Sequence, residues 1–155
     1  MNVNIMPMAE SHLDAVAALE AQCFSDPWPR ELLSRQLQSG RHVLLCAVCG
    51  GAVAGYAGYE YVLDEGYIGN VAVSADFRRR GLGRRLVEAM MESARQRELA
   101  FLTLEVRAGN EPARRLYEAM GFQIVGVRKN YYEKPTEDAI LMTVFLSREG
   151  EENHC

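Results

Sequence analysis

The densest chemistry in the chain lies in Arg78-Arg79-Arg80-Gly81-Leu82-Gly83, where three guanidinium groups and two glycines follow a short apolar run, Val71-Ala72-Val73. Such residues can hold an anion. Gly81 and Gly83 let the backbone approach closely, and the first amides of a helix have no intrahelical acceptor, so together they suit a phosphate. The arginines, Arg84 and Arg85 included, would add charge-assisted contacts to further phosphates. A plainer reading stays open on these residues alone, with the glycines capping a turn beside a solvated arginine face. Two familiar phosphate loops are excluded: a dinucleotide fingerprint needs a third glycine where Leu86 stands, and a Walker loop needs Gly-Lys-Ser/Thr.

Covalent and metal chemistry find little support. No Gly-x-Ser-x-Gly elbow is present, and neither Cys23 nor Cys46 has an adjacent histidine to activate it. Cys46 and Cys49 form a Cys-x-x-Cys, but in the strand-like run Val43 to Cys49 residues three apart point to opposite faces. His12, His42 and His154 are scattered, so no metal site is expected and the four cysteines read as buried free thiols.

These residues need elements to position them. Val71 to Val73 ends a strand, and apolar residues at Leu82, Leu86, Met90 and Ala94 mark one face of the helix that follows, fading near Glu98. Before them, a strand over Asn2 to Met6 stops at Pro7, and a helix runs from Glu10 to about Cys23. Phe24-Ser-Asp-Pro-Trp-Pro breaks it, and a second helix starts at Pro29 and ends near Leu37. Strands over Val43 to Cys49 and Ala52 to Val62 flank Gly50-Gly51, a hairpin signal, and Asp64-Glu65-Gly66 turns the chain into a strand over Tyr67 to Val73. Phe101 to Val106 is a fifth strand. Asn110 caps a helix through Met120 that Gly121 stops, and Gln123 to Arg128 and Ala139 to Leu146 add two strands. Two helical crossovers among hairpins predict a mixed α/β (α+β) sheet of about seven strands with about four helices.

With 155 residues, one domain over 1–146 and a polar tail over 147–155 are expected. Seventeen basic against 21 acidic residues give a net charge of −4, so the arginine cluster is local and suits a small polyanion better than nucleic acid. No secretory signal is visible at the N-terminus, and the apolar segments are too short to span a bilayer. A cytoplasmic protein with no membrane partner is the expectation.

Arg78-x-x-Gly81-x-Gly83 resembles the acetyl-CoA motif of the GNAT N-acetyltransferases. Leu104-Glu-Val-Arg-Ala-Gly-Asn110 and Leu116-Tyr-Glu-Ala-Met-Gly-Phe122 strengthen the likeness, as do Phe24 with Pro27-Trp28, Asn70-Val-Ala-Val and Arg128-Lys-Asn-Tyr-Tyr132. In this order over nearly the whole chain they resemble the GNAT subfamily that acetylates the N-terminal alanine of a small-subunit ribosomal protein. The resemblance implies acetyl-CoA as co-substrate and a protein N-terminus as acceptor, with direct transfer in a ternary complex. It makes Glu105 the general base and Tyr117 the general acid. It has Val71, Ala72 and Val73 pair with the pantetheine arm, and Arg79, Arg80, Gly81, Leu82, Gly83 and Arg84 contact the cofactor mainly through their backbone, with Asn110 as a further contact.

These roles are chemically sound. A phenol can donate to a thiolate, and a glutamate works more easily against an α-amine of pKa about 8 than against a lysine at about 10.4. The resemblance also places an acceptor groove between Phe24 to Trp28 and the hairpin Asn130 to Glu137. Phe24, Trp28, Tyr131 and Tyr132 would then touch the peptide, and Glu60, Asp64 or Glu65 would attract a basic one. Ordinary surface tyrosines and turn acids are the competing account. Three rival functions remain: an acetyltransferase for lysines or small amines, a silent CoA-binding module, and an oligonucleotide binder with salt-sensitive affinity.

Overall fold

The computed structural model describes residues 2–146. The tail expected over 147–155, with His154 and Cys155, lies outside the described residues. Seven strands order as β1-β2-β3-β4-β5-β7-β6 in one mixed sheet, the class the sequence predicts. They are β1 (Val3–Pro7), β2 (His42–Cys49), β3 (Ala52–Val62), β4 (Glu65–Val73), β5 (Phe101–Arg107), β6 (Gln123–Tyr132) and β7 (Glu137–Phe145), with helices α1 (Leu13–Cys23), α2 (Arg30–Gln38), α3 (Leu82–Gln96) and α4 (Glu111–Ala119). The residues group into two compact units, one up to Glu60 together with Gly69–Met90, the other Tyr61–Ile68 together with residues from Met91 on.

In the first unit β1, β2 and β3 are antiparallel, Val3 opposite Cys49 and Cys46 opposite Tyr56. The β2–β3 turn puts both Gly50 and Gly51 at positive φ, +56° and +84°, the pair of left-handed residues that a tight hairpin twisted like its strands requires. Leu13, Val16 and Leu19 of α1 share a buried cluster with Leu33, Leu44, Cys46, Tyr56 and Ala72. Pro7 belongs to β1 instead of ending it, which is tolerated because β1 is an edge strand and the missing N–H interrupts no central ladder.

In the second unit, Glu65 to Tyr67 of β4 lies parallel to Phe101 to Thr103 of β5, and β5 is antiparallel to β7 with Glu105 opposite Leu141. Burial alternates along β5: Leu102, Leu104 and Val106 are buried, while Phe101, Thr103, Glu105 and Arg107 take the other face. Asn110 caps α4, its side chain accepting from the Ala113 amide at 3.3 Å. Gly121, at φ +98°, ends that helix: its N–H donates to Glu118 O, and Phe122 N–H donates to Tyr117 O.

Other boundaries also differ from expectation. β4 starts at Glu65 because the turn is made at Leu63, φ +55°. β7 begins at Glu137. β6 continues past Arg128 to Tyr132 through an irregularity at which Asn130 takes φ +52°, which breaks the alternation and makes the polar Arg128-Lys129-Asn130 read as a loop. Tyr131 and Tyr132 therefore stand on a strand. Of the cysteines, Cys46 alone is fully buried among the described residues, and burial pushes its thiol up to about 12; Cys23 and Cys49 are half-buried, correcting the reading of four buried thiols.

Candidate active site

In the first unit β4 ends at Val73, with Ala72 buried and Val71 and Val73 half-buried, and the chain passes through a single turn, Ala75–Phe77, into the arginine loop. Arg79 and Gly81 both take positive φ, +65° and +75°. The first helical bond of α3 runs from Arg85 N to Gly81 O at 3.1 Å, so the amides of Leu82, Gly83 and Arg84 precede any intrahelical acceptor. A Cβ on Gly81 would meet no atom within 4 Å, so the backbone here is open to a ligand. Leu82, Leu86, Val87, Met90 and Ala94 are buried and anchor the helix behind the loop.

Several arginines brace the loop itself. Arg78 donates through Nε to Val73 O at 3.2 Å and through its guanidinium to Cys23 Sγ at 3.6 Å. Arg80 lies 5.7 Å over the Phe77 ring, Arg84 pairs with Glu88 at 3.1 Å, and Arg85 donates to Val3 O at 2.9 Å. What this leaves for an anion is backbone N–H together with the exposed Arg79 side chain.

Phe24 and Trp28, both half-buried, pack against the core of the same unit. Beneath them is a group the sequence reading missed. Glu20 is completely buried; its carboxylate accepts from Trp28 N at 2.9 Å, from Asn70 Nδ2 at 2.7 Å and from the Tyr56 hydroxyl. A signal was available, since Glu20 stands four residues after Val16 on the buried stripe of α1. Burial first and then the Glu20 charge push the Tyr56 hydroxyl far above its ordinary value.

The second unit holds the proposed acid and base. Glu105 is half-buried on β5, and interaction with its carboxylate is the leading cause that raises the pKa of the Tyr131 hydroxyl. The Tyr131 and Tyr132 rings meet edge to face at 5.1 Å. Burial, followed by the Glu105 charge, pushes Tyr132 up to about 12. Tyr117 is buried on α4 with its ring 5.4 Å from Phe122; burial raises its pKa most, and Tyr132 adds to the rise. Glu105, Tyr131 and Tyr132 thus form one cluster, with Tyr117 within electrostatic reach of Tyr132.

A second group missed from sequence is Arg107 with Glu137, paired at 3.2 Å beside that cluster. The two are thirty residues apart in sequence, and no local pattern links them. Of the acids expected to attract a basic peptide, Glu60 pairs with Arg41 at 3.7 Å and Glu65 accepts from the Tyr67 hydroxyl. Among the described residues no group of three or more His, Cys, Asp or Glu is placed to hold a metal, and no helix is long and apolar enough to cross a membrane.

Residues 13–122 match the family model described as Acetyltransferase (GNAT) family. The chain is 36% identical over 147 residues to the [ribosomal protein bS18]-alanine N-acetyltransferase of Escherichia coli K12, covering 92% of this chain and 97% of that one. It is 34% identical over 151 residues to the N-alpha-acetyltransferase RimI of Mycobacterium tuberculosis, covering 90% of each. The crystal structure of the ribosomal-protein-S18-alanine N-acetyltransferase from Escherichia coli superposes with a TM-score of 0.89 at 35% identity, covering 97% of both chains.

Proposed function

The chain belongs to the GNAT acetyltransferase family, and from that premise we propose that it transfers the acetyl group of acetyl-CoA to the α-amine of a protein's N-terminal alanine, the acceptor being a small-subunit ribosomal protein. The observation that carries this reading is the half-buried Glu105 carboxylate on β5 together with the Tyr131–Tyr132 ring pair, whose pKa values it raises, with the buried Tyr117 phenol on α4 of the same compact unit. Relatives of matching length support it, one named for the alanine of a ribosomal protein and the other for N-alpha-acetyl transfer.

In this reading acetyl-CoA is a substrate. The amides of Leu82, Gly83 and Arg84, with those of Arg79, Arg80 and Gly81, receive the pyrophosphate, an arrangement suited to anions because helix N-terminal N–H groups converge there. Val71, Ala72 and Val73 pair with the pantetheine arm, and Asn110 makes a further contact. Glu105 takes a proton from the α-ammonium, the amine forms a C–N bond to the acetyl carbonyl carbon, and the C–S bond breaks as the nitrogen gives up a second proton, which balances the one the thiolate takes up to leave as the free thiol. The Tyr117 hydroxyl then meets the charge on the departing thiolate. An α-amine of pKa about 8 leaves a useful neutral fraction at pH 7, which a lysine at about 10.4 does not. Phe24, Trp28, Tyr131 and Tyr132 contact the acceptor. The family match runs through both compact units, in favour of residues 1–146 acting as one catalytic domain, and the cytoplasm is where a ribosomal protein would meet acetyl-CoA.

The test is a pair of peptides incubated with the protein and acetyl-CoA: one with a free N-terminal alanine and no lysine, the other with a blocked N-terminus and one lysine. Mass spectrometry is expected to find the added acetyl on the first, with one thiol released per transfer. Label confined to the lysine peptide, or no thiol release with either, would overturn the reading.

A further inference from the structure

We propose that Arg107 and Glu137 form a clamp that presets the Tyr131–Tyr132 strand end for the acceptor peptide, Arg107 acting as a positioning residue; this rests on the acetyl-transfer reading above. Arg107 closes β5, two residues beyond Glu105. Its guanidinium donates to Glu133 O at 2.8 Å and Pro135 O at 2.9 Å, both in the turn between β6 and β7, and to Glu137 Oε1 at 3.2 Å at the start of β7. Its guanidinium carbon, Cζ, also lies over the Tyr132 ring, 4.5 Å from the ring centre. One side chain thus holds both sides of the turn and the face of a tyrosine proposed to touch the peptide. A guanidinium suits this because its donors are fixed in a planar fork that also stacks on aromatics.

Glu137 extends the clamp toward the other end of the proposed site. Its Oε2 accepts from Gly109 N at 2.6 Å, and a Cβ on Gly109 would sit 2.7 Å from that oxygen, so a side chain there would push the Glu137 carboxylate from its place. The Arg107 carbonyl in turn accepts from Asn110 N at 2.9 Å, just ahead of the helix that carries Tyr117. The ion pair therefore ties the hairpin to the entry of α4. Each partner's side chain is 26% exposed, so the pair is shielded well beyond an ordinary surface bridge of little net value.

If the clamp opens, the turn carbonyls lose their donors and Tyr132 loses its cation, so the peptide must order the hairpin as it binds. Lost preorganisation weakens binding of the ligand that pays for the ordering. Of the proposed acetyl-CoA contacts, Val71 to Val73 and Arg79 to Arg84 belong to the other compact unit, and Asn110, in the clamp's own unit, is held by the Arg107 backbone carbonyl, which a change of the Arg107 side chain leaves in place.

The test uses the full chain, acetyl-CoA and the lysine-free peptide with N-terminal alanine. Arg107→Lys keeps the charge and removes the fork. The expected result is a peptide KM raised roughly 10- to 100-fold, the range of one lost hydrogen bond to a charged group, with kcat changed less than about threefold. Acetyl-CoA affinity by calorimetry stays at the wild-type value, and hydrogen exchange at the amides of residues 133, 134 and 136 speeds up. Glu137→Gln, whose amide oxygen can still accept from Gly109, gives a smaller rise in the same direction. A reduced kcat at unchanged peptide KM, or a parallel loss of acetyl-CoA binding, reduces the pair to a fold-stabilising contact and overturns the clamp. If Arg107→Lys does not fold, the same split measured on Glu137→Gln decides. A wild-type chain inactive on free α-amines overturns the transfer reading and the clamp with it, an outcome distinct from variant-only effects.

Discussion

Tyr117 is a buried phenol whose pKa lies above its ordinary value, with burial as the leading cause. It therefore keeps its proton at any working pH, but handing that proton fully to a thiolate whose conjugate acid is near 8.5 is uphill. Its better role is a hydrogen bond that strengthens as charge builds on the leaving sulfur, an interaction made more strongly in the transition state than in the ground state. Tyr117→Phe, which keeps the ring against Phe122, is expected to lower kcat roughly 10- to 100-fold with little change in peptide KM or melting temperature. Wild-type turnover would remove Tyr117 from the chemistry. Glu105→Gln keeps the shape of the base but not its capacity for a proton, and should cost roughly 10²- to 10⁴-fold in kcat while acetyl-CoA binds as before. Stopped-flow thiol release with calorimetry separates the two effects, and undiminished activity would sink the base assignment.

At the level of elements, the loop into α3 turns on two backbone positions at positive φ, of which Gly81 is the informative one. A Cβ there would touch nothing in the protein, so the intrinsic cost of Gly81→Ala is only the left-handed backbone penalty of about 1–2 kcal/mol. Loss of acetyl-CoA affinity beyond about tenfold, with a drop in melting temperature no larger than that penalty implies, would mean that the new methyl meets the ligand. Unchanged affinity by calorimetry would count against the cradle. This loop was legible in the sequence because its signals are local: an apolar strand, two glycines and a helical stripe lie within a few residues of one another. The hairpin at Gly50-Gly51 and the capped helix after Asn110 were legible for the same reason. The end of β6 was not, since the irregularity at Asn130 breaks the alternation that marks a strand. Glu20 was missed because a charge in a helix reads as solvent-facing until its three donors, from Trp28, Tyr56 and Asn70, are brought to it by the fold. Arg107 and Glu137 were hidden by their separation along the chain, which only the pairing of β5 with β7 closes. The resemblance supplied the roles of Glu105 and Tyr117, which spacing alone does not reveal.

For the molecule as a whole, four buried or half-buried acids share one direction of shift. Cys46 is raised to about 12 from 9.0, Tyr132 to about 12 from 10.0, and Tyr56 and Tyr117 also rise, in each case led by burial. The unfolded chain releases these protons near pH 9 for the thiol and near 10 for the phenols, while the folded chain holds them. Above those values the unfolded state binds fewer protons, so stability is fully present below about pH 9 and falls as pH rises through the folded values, each group adding at most about 1.4 kcal/mol per pH unit. Thermal melts are therefore expected to be flat from pH 7 to about 9 and to drop steeply beyond 10. Cys46→Ala, though less stable overall, should delay the onset toward pH 10, and Tyr117→Phe should make the later slope shallower. A melting temperature constant through pH 11 would refute the shared shift. The contribution that persists to the highest pH is expected from Tyr56, because its ionisation would set a second negative charge against the buried Glu20 carboxylate to which its hydroxyl donates. Glu20→Gln removes that repulsion, so in the double variant Glu20→Gln with Tyr56→Phe the two changes in alkaline slope should not simply add.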